Sequence, residues 1–127
     1  GELAAQLAVD AIRRDLVNLS PRPADVALRA AVLEANRIIV LRRQNQAFSN
    51  MGTTLVAALF SGSEVAIGHV GDSRAYLIRD GAIQQLTTDH TYVQELVEKG
   101  QIKIEDALSH PQAHILTRCI GSEPGLE

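Results

Sequence analysis

The run Met51–Leu86, MGTTLVAALFSGSEVAIGHVGDSRAYLIRDGAIQQL, constrains the fold more than any other part of the chain. It reads as four strands broken by three turns. Thr53–Phe60 is mostly apolar without alternation, the pattern of a strand covered on both faces. Ser61-Gly62-Ser63 is a turn signal. Glu64–Val70 follows, with Val65, Ile67 and His69 on one face and Ala66, Gly68 and Val70 on the other. Gly71-Asp72 breaks the strand, Ser73–Arg79 returns, Asp80-Gly81 is a two-residue hairpin signal, and Ala82–Leu86 closes the hairpin. Asp72 is the carboxylate at a strand break inside this apolar block, which makes it the first candidate for chemistry.

Helices flank this block. Leu3, Leu7, Ile12, Leu16 and Leu19 recur at helical spacing and predict an amphipathic helix over Glu2–Asn18. It opens with almost no lead-in, so the expectation is a chain cut from a longer one. Ser20-Pro21-Arg22-Pro23 separates it from a second helix whose apolar stripe is Leu28, Val32, Ala35 and Ile39, ending near Asn45. The small residues Ala27, Ala30, Ala31 and Ala35 allow that helix to lie close to a neighbour, and both helices are expected on one face of the sheet. Gln44–Asn50 is a polar connection. After the strands, Thr91 with Gln94 fits a capping box before a short helix that Gly100 stops. Ile104–Leu108 reads as a further helical turn, His110-Pro111 as its break, Ile115–Ile120 as helix or strand with helix the preferred reading, and Gly121-Ser122-Glu123-Pro124 as a turn.

Composition excludes several function classes. With 127 residues, 46% hydrophobic and 21% charged, the chain suits one globular domain rather than disorder. A net charge of −3 offers no basic footprint for nucleic acid. No apolar run reaches membrane-spanning length, and one cysteine, Cys119, allows no internal disulfide and fits a reducing, cytoplasmic setting.

The candidate residues each admit two readings. Asp72 is a metal ligand or charge relay at the mouth of a sheet, or else a turn residue accepting local N–H bonds and paired with Arg74. His69 is a hydrogen-bonded core residue or a ligand. His110 and His114 have the spacing of two zinc ligands on a helix, but Pro111 opposes that helix. Asp89-His90 is an acid–base pair or a polar loop before a capped helix. Cys119 reads as buried and inert, and Arg118 as an anion site or the partner of a surface carboxylate.

Taken in order, the motifs resemble the metal-dependent protein serine/threonine phosphatases, the PPM or type 2C class, in their bacterial form. The pieces that carry the resemblance are Gly1-Glu2 with Ala4-Ala5, Ala35-Asn36 with Ile39, and Met51-Gly52-Thr53-Thr54 with the following Leu55–Phe60. His69-Val70-Gly71-Asp72-Ser73-Arg74-Ala75-Tyr76 is the most specific, followed by Leu86-Thr87-Thr88-Asp89-His90-Thr91, His110-Pro111, and Leu116-Thr117-Arg118 with Ile120-Gly121. The resemblance implies an α+β fold, part of a four-layer α-β-β-α sandwich of antiparallel sheets. It implies a two-metal centre of Mn²⁺ or Mg²⁺ whose bridging water attacks phosphoserine or phosphothreonine in a protein substrate. It divides the chain into two helices over 1–45, antiparallel strands over 51–86, a flap over 91–111 and a C-terminal piece over 112–127. It assigns one site residue, Asp72, as a ligand of a third, weaker metal beside the centre.

The chain departs from that pattern at both ends. The family's main metal ligands would precede Gly1 or follow Glu127, so the expectation is a central fragment, inactive alone because one carboxylate cannot hold two divalent ions against water. A sheet without its partner would leave several hundred Å² of apolar surface bare, on the order of 10 kcal/mol at ~25 cal/mol per Å², and self-association is expected. The alternatives are a non-catalytic pseudophosphatase or interaction domain on the same scaffold, and the phosphatase domain of a stress-response regulator.

Overall fold

A computed structural model of the chain describes residues 2–17 and 22–122. Leu19, the Ser20-Pro21 break and the turn residues Glu123 and Pro124 lie outside the described residues.

Helix α1, Glu2–Val17, and helix α2, Ala24–Arg42, pack side by side. The seam differs from the leucine stripe that spacing predicts. On α1 the buried positions are Ala4, Ala8, Ala11 and Ile12, while Leu3 is 41% exposed and Leu7 and Leu16 only border the core. The reason is distance: alanines at successive turns let two backbones approach, and the larger leucines are displaced to the flanks of the contact. On α2 the predicted Leu28, Val32, Ala35 and Ile39 are all buried, joined by Ala27, Ala31 and Asn36. Pro23 sits at the N-cap of α2, where its missing N–H would be unpaired in any case. The helix stops at Arg42, short of Asn45, whose side chain accepts from the Ala47 N–H at 3.0 Å and caps a 3-10 turn, Gln46–Phe48.

Strand β1, Leu55–Ser61, pairs antiparallel with β2, Glu64–Val70, in a register from Leu55 opposite Val70 to Ser61 opposite Glu64. The pleat sorts the residues. Leu55, Ala57 and Leu59, with Ala66, Gly68 and Val70, face α2 and the core. At Gly68 the absent Cβ leaves room for Leu28, whose Cδ2 would lie 3.1 Å from it. The opposite face carries Phe60, Val65 and Ile67, exposed by 78%, 48% and 36%. The expectation that the β1 run is covered on both faces is therefore met on one face among the described residues.

Strands β3, Tyr76–Arg79, and β4, Ala82–Gln85, form a second antiparallel hairpin that does not pair with the first. Asp80 and Gly81 turn it with φ of 52° and 77°. Ser73–Ala75, predicted as strand, is not: the chain turns at Gly71, and the backbone of Ala75 is taken by the Leu86 N–H and the Thr87 hydroxyl. Helix α3, Tyr92–Glu98, starts where predicted, with Thr91 Oγ1 accepting from the Gln94 N–H at 3.2 Å. Helix α4, Ile104–Ala107, follows.

The last segment corrects another expectation. Residues 115–120 are not helical. Leu116 bridges Thr91 and Ile120 bridges Thr53, both antiparallel, so this short apolar stretch is held by isolated pairs with earlier loops. The fold is thus α+β, with antiparallel hairpins, α2 on one face of β1–β2 and α1 packed on α2; of the two helices expected on the sheet, α2 makes the contact with the strands. No helix of the described residues is long and apolar enough to cross a membrane.

Candidate functional site

The site is built where β2 ends. Gly71 has φ of 105°, a region that L side chains rarely adopt, and a Cβ there would lie 2.5 Å from Thr54 Cγ2. Glycine is therefore required to turn the chain against the start of β1. Asp72 is carried out to the surface by that turn, and among the described residues its carboxylate engages no hydrogen bond or ion pair. Ser73 beside it is tied back to β1 by a 2.7 Å contact between its Oγ and Thr54 Oγ1.

The pairing with Arg74 that the turn reading of Asp72 supposes does not form. Arg74 instead grips Asp89 with two bonds, Nε to Oδ1 at 2.8 Å and Nη2 to Oδ2 at 2.6 Å, and donates from Nη1 to the Tyr76 hydroxyl at 3.2 Å. The Asp89 bonds, with a smaller share from Tyr76, hold the guanidinium pKa above its ordinary range. Both oxygens of Asp89 are thus engaged by a cation.

His90 is placed as specifically. Its Nδ1 accepts from the Gly71 N–H at 3.0 Å, and its own N–H donates to the Gly71 carbonyl at 3.0 Å. A neutral ring with its proton on Nε2 satisfies this arrangement. Burial lowers the His90 pKa, and the charges of His69 and Arg118 act in the same direction, with Asp89 opposing. His69 stacks on it, ring centroids 4.5 Å apart, and bonds through Nε2 to the Thr88 carbonyl at 2.8 Å. His69 is thus the hydrogen-bonded residue of the two readings given above. The polar-loop reading of Asp89-His90 understates them. Spacing could not pair residues fifteen to nineteen positions apart, and the only signal was the unbroken polar run Thr87–His90.

Beyond the turn lies a cleft of about 670 Å³ between this loop, the end of β4 and the α3–α4 segment, lined by Asp72, Arg74, Asp89, Gln94, Leu108 and His114 among others. His110 and His114 do not form a metal pair: the His110 Nδ1 accepts from the Gln112 N–H at 3.0 Å. Cys119 is half-buried rather than buried. Among the described residues no group of three or more His, Cys, Asp or Glu side chains could hold a metal ion. Hard divalent cations want six or more oxygen ligands, and this cleft supplies one unengaged carboxylate, Asp72. These residues fit the contribution of one ligand; they do not fit the holding of a metal centre on their own.

A loop of this form, hung on an α+β core, defines a class. The chain belongs to the protein phosphatase 2C family, whose pattern it matches over residues 3–107. It is 42% identical over 127 residues to the serine/threonine phosphatase stp of Listeria welshimeri, covering 99% of this chain and 50% of that protein. It is 42% identical over 122 residues to the serine/threonine protein phosphatase PstP of Mycobacterium tuberculosis, covering 94% of this chain and 24% of that protein. Among solved structures it superimposes on Stp1 of Staphylococcus aureus with a TM-score of 0.91 at 35% identity, over 99% of this chain and 51% of that one. The PstP catalytic domain solved in complex with two manganese ions gives 0.80 at 38% identity, over 97% and 52% of the two chains. The chain spans about half the length of the curated Listeria relatives it matches.

Proposed function

We propose that this chain is the central portion of a metal-dependent protein phosphatase that hydrolyses phosphoserine and phosphothreonine in protein substrates. Its sections are the helical pair over 1–45, the strands over 51–86, the flap over 91–111 and the terminal piece over 112–127. Asp72 is its one metal ligand. The carrying observation is that carboxylate: it stands unengaged on a turn whose neighbouring charges are all bound, within a chain that matches the family over residues 3–107. The ions, manganese or magnesium, supply an activated water and offset charge on the phosphoryl group when bound. The chain's own part is to fix the loop and to border the cleft with α3 and α4. The 127 residues alone are inactive, since a single hard ligand holds no pair of divalent ions. The single Cys119 supports a cytoplasmic setting.

The test is hydrolysis of an aryl phosphate in Mn²⁺. The 127-residue chain gives no turnover. The same residues within a full-length family polypeptide do, and Asp72→Asn there loses about tenfold or more at limiting Mn²⁺. Turnover by the short chain at the rate of the full-length protein would overturn the reading. A non-catalytic scaffold of the same fold is the second reading, and an inactive full-length protein would select it. The exposed Phe60, Val65 and Ile67 support association of the short chain with a second copy of itself, which light scattering reads as a mass rising with concentration.

A further inference from the structure

The turn at Asp72 is gripped from both sides by two adjacent residues. On its N-terminal side, Gly71 is bound at both its polar groups by His90: N–H to Nδ1 and carbonyl to the His90 N–H, each at 3.0 Å. On its C-terminal side, Arg74 is bound at Nε and Nη2 by Asp89. The gripping pair is itself braced. The His90 carbonyl accepts from the Thr117 N–H at 2.9 Å, and the neighbouring Thr88 carbonyl is bonded to His69 at 2.8 Å. Thr91, next in sequence, is 3% exposed and starts α3. The groups flanking Asp72 thus have partners, and its own carboxylate has none among the described residues.

We infer that Asp89 and His90 are positioning residues that clamp Gly71 and Arg74 and thereby present the Asp72 carboxylate as a free oxygen donor to the cleft. Asp89 serves twice: it fixes Arg74, and it removes the cation that would otherwise pair with Asp72 from two residues away. Its loss would free Arg74 to neutralise the ligand. The inference rests on the reading of Asp72 as a metal ligand for its consequence in binding, and on the hydrogen bonds alone for the clamp.

The experiment separates the two. Amide exchange of Gly71 is measured in the chain and in His90→Leu and His90→Asn. The asparagine carries an acceptor oxygen near the place of Nδ1 and the leucine does not. Protection of Gly71 falls about fivefold or more in His90→Leu and returns to within about twofold of the parent in His90→Asn. Equal protection in all three overturns the clamp. Should His90→Leu not fold, Asp89→Asn takes its place, read at the Arg74 Nε–H, whose exchange rises. Mn²⁺ affinity is then measured in a full-length family polypeptide carrying these residues, with melting temperature alongside. Asp89→Asn weakens binding by about fivefold while lowering the melting temperature no more than Arg74→Ala does, and Asp89→Asn with Arg74→Gln recovers only part of that loss, because the freed cation is gone but the grip on the turn is not regained. If Asp72→Asn weakens Mn²⁺ binding and Asp89→Asn does not, the positioning role fails and the ligand reading stands. If Asp72→Asn has no effect, the ligand reading fails, while the Gly71 exchange still decides the clamp.

Discussion

The two halves of this molecule are held together by different physics. The helical pair with β1 and β2 is an apolar body: its buried residues are alanines, valines, isoleucines and one leucine, with Asn36 the polar exception. The β3–β4 hairpin contributes nothing to that core, and Ile78 and Ile83 on it are 75% and 67% exposed. What is buried around it is largely polar: Thr87 and Thr91, both hydrogen-bonded. The first half derives its stability from many interchangeable contacts. The second depends on a few directional bonds among Gly71, Arg74, Asp89 and His90. The functional turn sits where the two meet, braced by the rigid half and shaped by the polar one.

Substitutions sharpen the contrast in a definite order of size. Ile39 is fully buried beneath the helical seam, and Ile39→Ala costs about 2–5 kcal/mol, read as a lowered urea midpoint. Gly71→Ala costs about 2–3 kcal/mol, because the residue keeps a left-handed φ and its Cβ meets Thr54. Arg74→Ala costs about 0.5–1 kcal/mol, since its pair with Asp89 is partly open to water. Phe60→Ser, on the uncovered face, changes monomer stability by about 0.5 kcal/mol or less. If Phe60→Ser instead cost as much as Ile39→Ala, the two faces of β1–β2 would not differ as described.

Proton linkage near neutral pH falls on the polar half, through His90. His90 is bonded as the neutral ring, and burial lowers its pKa from the ordinary 6.5. The unfolded chain therefore binds the proton first as pH falls, so the contribution of His90 is complete above about 6.5 and fades below it. A urea midpoint that drops between about pH 7.5 and about pH 5.5, with a shallower drop in His90→Asn, is the expected result.

The sequence foretold the elements better than their faces. Leu28, Val32, Ala35 and Ile39 announce α2 by period, and Asp80-Gly81 announces its hairpin because few residues accept positive φ. The α1 seam misleads because leucines carry the periodicity while alanines carry the contact. Residues 115–120 mislead because isolated bridges leave no periodic trace, and their partners, Thr91 and Thr53, lie far back in the chain. Asp72 was legible as a carboxylate at a strand break. Its freedom was not, since that depends on Arg74 choosing Asp89 over a nearer acid.

Asn36 accepts from the Gly121 N–H at 2.7 Å inside the apolar body, while Arg43 donates to the Gly121 carbonyl. The Asn36 bond joins residues 85 positions apart, so no local order in the intervening chain can form it early. Closing so long a loop belongs to the late stage of folding, and opening it undoes the cooperative whole. The amide of Gly121, close to the end of the described chain, is therefore a gauge of global unfolding rather than of fraying.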